Sequence, residues 1–73
     1  MNSIQIYGSE YIEMEISYSS KRESSLLKLI REEAILTGVS MTELAGQVIG
    51  TAKILVRARD MEVFSKKIID ILL

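Results

Sequence analysis

The sequence predicts a small α+β fold, mostly helical, in which an N-terminal strand is followed by two to three helices. Three observations carry this expectation. Ile12, Met14, Ile16 and Tyr18 alternate with Glu13, Glu15 and Ser17, the period of two that marks a half-buried strand. Leu26, Leu27, Ile30 and Ala34 then recur at intervals of three and four, as on one face of an amphipathic helix. From Met41 to Val56 apolar residues keep helical spacing with little polar circumference, the pattern of a buried helix.

Ile4 and Ile6 repeat the alternation before Gly8 and Ser9, so residues 1–9 form either a loose arm or a short first strand closing a hairpin. The strand proper is expected over 12–18. Ser20 and Glu23 have capping-box spacing and open a helix over 21–37, which Gly38 ends in the left-handed position. Ser40 and Glu43 repeat the box and open a helix over 41–57. Gly46 and Gly50 share a face of that helix, where each costs about 1 kcal/mol relative to alanine. They imply a close backbone approach, unless Gly50 simply ends a shorter helix. In that rival arrangement residues 53–58 form a strand, because a short apolar run does not decide its own period. Asp60 is placed to cap a last helix over 61–72, with Val63, Phe64, Ile68, Ile71 and Leu72 on its inner face. No internal repeat or linker is visible, and residues 1–73 are expected to form a single domain.

Composition narrows the chemistry. The 73 residues include no cysteine and no histidine, which removes the thiolate nucleophile, cysteine-ligated zinc and the usual proton shuttle. No enzyme activity, metal, cofactor or small-molecule substrate is expected. Glu13 and Glu15 share a strand face and could serve as an acid pair for glycoside hydrolysis. With 5% aromatics and little room for a cleft, solvated strand charge is the favoured explanation. Apolar residues make up 48% of a chain that buries only about 60% of its unfolded surface, so self-association is expected, most simply a homodimer built on the second helix. No apolar run approaches the roughly 20 residues of a membrane span, and residues Met1 to Gln5 lack a secretory pattern. A cytoplasmic setting is expected. Nine basic and ten acidic residues give a net charge of −1, with Glu10, Glu13 and Glu15 but no base in the first twenty residues. Lys53 and Arg57, at i and i+4, form either a phosphate- or partner-binding stripe or a solvated helix face beside Asp60 and Glu62.

The order strand, capped helix, Gly-x-Ser turn, buried helix resembles the ribbon-helix-helix family of small dimeric repressors and antitoxins. The resemblance spans residues 12–56. It is carried by Ala34, Gly38 and Ser40 in the segment between the helices, and by Leu26, Leu27 and Ile30 at first-helix core positions. It implies a ribbon-helix-helix-like dimer that pairs its strands and sets the ribbon in the major groove of DNA. Glu13, Glu15 and Ser17 would then face the bases. Lys21 and Arg22 would flank the ribbon, and Ser40, Met41 and Thr42 would offer amides to a phosphate at a helix N-terminus. The function implied is a DNA-binding transcriptional regulator or antitoxin-like autorepressor. Two carboxylates per strand oppose phosphate attraction, however. The alternative is a non-enzymatic interaction module or inhibitor, whose acidic strand face binds a basic protein partner without DNA.

Overall fold

Gly8 and Gly46 turn the chain twice in the same way. The computed structural model describes residues 3–73 and contains β1 (Ser3–Ile6), β2 (Ser9–Ser19), α1 (Glu23–Glu33), β3 (Ile35–Leu44), β4 (Gln47–Arg57) and α2 (Met61–Leu72). Tyr7 and Gly8 have φ of 48° and 82°, and Ala45 and Gly46 have φ of 52° and 77°. Two successive left-handed residues make the two-residue hairpin turn that matches strand twist. Each hairpin runs through a single turn of 3-10 helix, at Ser20–Arg22 and Ala58–Asp60, into its helix.

The strand order is β1-β2-β4-β3, antiparallel throughout. The second half repeats the first at a displacement of 38 residues, which carries Ser9–Ser19 onto Gln47–Arg57 and the start of α1 at Glu23 onto that of α2 at Met61. Buried positions follow the repeat: Ile16 and Ile54, Tyr18 and Val56, Leu26 and Phe64, Ile30 and Ile68. A pseudo-two-fold axis therefore passes between the central strands, where Glu15 faces Lys53. The internal repeat was not visible in the sequence because the halves share an inside–outside pattern rather than residue identities.

Both helices cover one face of the sheet. Ile16, Tyr18, Ala52, Ile54 and Val56 point from β2 and β4 into a core shared with Leu26, Leu29, Ile30, Phe64 and Ile68. Gly50 is needed here, because a Cβ built on it would fall inside Tyr18 Cζ, Cε2 and Oη. Lys67 Nζ joins the helices by donating to Glu33 Oε1 and Oε2 at 2.8 and 2.7 Å. The repeat places Leu29 and Ile71 in the equivalent positions, and both belong to the core or pack against it.

Several expectations are overturned. The fold is not mostly helical with one N-terminal strand, and it is not ribbon-helix-helix-like: of the described residues strand accounts for 51% and helix, 3-10 turns included, for 41%. The expected helix over 41–57 is the end of β3, a turn and β4. Its apolar residues fit periods of 3.6 and 2 alike, but Val48, Ile49, Thr51, Ile54 and Val56 are β-branched and favour the pleated surface. The rival strand over 53–58 is the arrangement the chain adopts, to Arg57. Without the second helix, the dimer interface expected on it is lost too. The first helix ends at Glu33 rather than residue 37 because Ala34 is extended. Gly38 is not a helix cap; it lies in β3 beside a register shift, where the extra residue, Thr37, donates its Oγ1 proton to the Lys53 carbonyl at 3.0 Å. Neither capping box forms. Ser40 and Glu43 lie in β3, and α1 has no side-chain cap. α2 spans the expected residues, but Asp60 makes no side-chain cap bond. Residues 3–8 form β1 and the hairpin turn, and Ser9 opens β2; the expectations for Met1 and Asn2 lie outside the described residues.

Candidate functional site: the uncovered sheet face

Alternation along the strands decides which residues the helices leave uncovered. Tyr11, Glu13, Glu15 and Ser17 on β2 lie across from Arg57, Leu55, Lys53 and Thr51 on β4. Ile4 flanks Tyr11 from β1, and Ile35 flanks Leu55 from β3. Leu55 is 8% exposed although it belongs to no helix-packed core. The face thus has an apolar centre with charged and aromatic residues around it.

Tyr11 and Arg57 form its best-defined pair. Arg57 Nε donates to the Tyr11 hydroxyl at 3.3 Å, and the guanidinium carbon lies 5.9 Å from the ring centroid, within cation–π range. The hydrogen bond to Tyr11 raises the Arg57 pKa, so the cation persists. Below this pair β3 has not yet begun, and an open notch of ≈ 440 Å³ forms between Tyr11, Arg57, Ile35 and the carboxylates of Glu32, Glu33 and Asp60. Glu33 is engaged by Lys67, and Asp60 lies 3.8 Å from Arg59. Among the described residues Glu32 has no ion-pair partner.

The structure separates the residues singled out from the sequence. Glu13, Glu15 and Ser17 are exposed on the uncovered face, whereas Glu10 lies on the opposite side of β2 by alternation. Glu15 is 3.9 Å from Lys53, so the face is less acidic than β2 alone suggests. Lys53 and Arg57 share this face at strand spacing, not a helix face. Ser40, Met41 and Thr42 are strand residues, and no helix N-terminus exists there to hold a phosphate. Lys21 and Arg22 sit in the 3-10 turn before α1, on the helix-covered side of the molecule. Tyr11, Ile35, Leu55 and Glu32 were missed. Tyr11 and Leu55 carry a strand-period signal; Ile35 and Glu32 acquire their place only through the path of the chain from α1 to β3.

Among the described residues there is no group of three or more potential metal ligands and no helix long and apolar enough to cross a membrane. The chain matches no protein-family model, no curated protein and no solved structure.

Proposed function

We propose that the protein is a non-enzymatic interaction module that binds a protein partner on its uncovered sheet face. The observation that carries this is the Tyr11–Arg57 pair standing beside the Leu55 centre and above the Glu32 notch. Protein interfaces concentrate their binding energy in a few aromatic and arginine anchors around a desolvated apolar centre. The partner presents apolar side chains to the exposed Ile35 and Ile4 on either side of the buried Leu55, and a Lys or Arg to the notch between Glu32 and Asp60. A basic partner was the alternative drawn from the acidic strand. Here the attraction moves from the acidic strand to the notch, because Glu10 faces away and Lys53 offsets Glu15.

The test places a photo-cross-linker at Ile35 on the open face, and at Asp70 on α2 as a control. The captured protein is then purified and titrated calorimetrically. Adducts from position 35 alone, with a Kd that rises about tenfold or more for Tyr11→Ala, support the proposal. Adducts from position 70 alone, or an unchanged Kd for Tyr11→Ala, contradict it. Sedimentation of the purified chain separates a heterologous partner from a second copy.

A further inference from the structure

The internal repeat supplies its own control for a second surface. Between residues 58 and 72 each cation lies in an ion pair: Arg59 lies 3.8 Å from Asp60, Lys66 3.4 Å from Glu62, and Lys67 2.7 Å from Glu33. Around α1 the positions equivalent to Asp60 and Glu62 carry no acid. Lys21 stands for Arg59 and Lys28 for Lys66, but Arg22 replaces Asp60, Ser24 replaces Glu62 and Arg31 replaces Ile69. Lys21, Arg22, Lys28 and Arg31 are all exposed, and among the described residues none makes an ion pair.

Helical geometry aligns these groups. Ser24, Lys28 and Arg31 follow one another at spacings of four and three, and Lys21 leads into the same stripe. At 1.5 Å per residue the stripe from Lys21 to Arg31 is about 15 Å long. Two acids adjoin it. Glu23 accepts a hydrogen bond from the Tyr18 hydroxyl at 3.2 Å, and Glu32 flanks the stripe on the side of the notch.

We infer that this stripe on α1 binds the sugar-phosphate backbone of a nucleic acid, on a surface separate from the open sheet face. The absence of exposed apolar side chains selects this partner. Leu26, Leu29 and Ile30 are buried and Leu27 is half-buried, so the outer side of α1 offers only cations, serines and Glu32. A stable protein interface builds its anchors around a desolvated apolar centre, and a membrane-surface helix needs an apolar face. Phosphates need only cations and hydroxyl donors, which Lys21, Arg22, Lys28, Arg31, Ser24 and Ser25 supply. Duplex DNA presents one charge per about 1.7 Å of axis, enough to engage the whole stripe without any reading of sequence.

Fluorescence anisotropy of the full chain with a labelled random DNA duplex tests this. Binding is expected with Kd in the non-specific range of roughly 10⁻⁴–10⁻⁶ M, falling with salt at a log–log slope of about −3 for three to four phosphates. Lys28→Glu combined with Arg31→Glu weakens it about tenfold or more, while Lys66→Gln at the repeat-equivalent position leaves it unchanged. All three positions are exposed, and circular dichroism checks that the variants fold. A flat titration at low salt, or equal losses for the α1 and α2 variants, overturns the inference. So does equal affinity for poly-glutamate, which would assign the stripe to acidic protein. The open-face variant Tyr11→Ala retains duplex binding, so failure here and failure of the proposed function are separately visible.

Discussion

The Tyr18 ring occupies the volume that a side chain at position 50 would need. The two residues are cross-strand partners on β2 and β4, and both are buried. The ring takes the place of a side chain under the sheet, and its hydroxyl reaches Glu23 at the start of α1. One tyrosine thus ties the central strand pair to the first helix.

Gly50→Ala should therefore destabilise the fold by about 1–3 kcal/mol, the usual cost of overpacking a filled core. A urea titration reports it as a lower midpoint at constant slope. A midpoint equal to that of the wild type would mean that the ring is not seated over position 50.

Tyr18 also sets an alkaline limit. Burial, then the hydrogen bond and negative charge of Glu23, push its phenol above the ordinary 10.0. The folded state favours the neutral ring, so this contribution is fully present below the unfolded pKa and is lost as pH rises through the folded one. Stability measured by denaturant should fall above about pH 10 in the wild type, and fall less in Tyr18→Phe. Equal alkaline limbs would contradict the assignment.

The hairpin turns carry strain that can be removed. Tyr7 and Ala45 hold φ of 48° and 52°, a region that costs a residue with a Cβ roughly 1–2 kcal/mol and that asparagine tolerates better. Tyr7→Asn and Ala45→Asn should each raise the thermal midpoint, with a gain on the order of 0.5–1 kcal/mol. A loss at either position would contradict the two-residue turn.

The helix–helix seam offers a comparison between repeat-equivalent pairs. Lys67 and Glu33 are 46% and 34% exposed at their side chains, and such a pair contributes only about 0.2–1 kcal/mol in a double-mutant cycle. Leu29, the repeat equivalent of Lys67, is 9% exposed, and Leu29→Ala should cost about 2–5 kcal/mol. The reverse order of effects would mean that the seam is held by charge.

Part of this architecture is legible in the residues. The alternation from Ile12 to Tyr18 gives β2 and its two faces, and 61–72 gives α2 with Phe64 and Ile68 buried. Val63, expected on the same inner face, is 56% exposed because it faces away from the core. The second hairpin was hidden by degeneracy. Met41, Leu44, Ala45, Val48, Ile49 and Ala52 satisfy helical spacing, while Gly50, Ala52, Ile54 and Val56 satisfy alternation. Two signals favoured the strand: the β-branched content of 48–56, and the cost of Gly46 and Gly50 inside a helix. The α1 stripe has a clear sequence signature in its spacing. Its lack of ion pairs emerges only from comparison with α2.

Both proposed surfaces depend on β4 lying beside β2 in the sheet, and backbone NMR tests that placement most directly. Cross-strand contacts between Ile16 and Ala52 and between Met14 and Ile54 are expected, with amides of β2 and β4 exchanging most slowly. Sequential helical contacts running from residue 41 to 56, with no β2–β4 cross-peaks, would contradict the fold and both surfaces built on it.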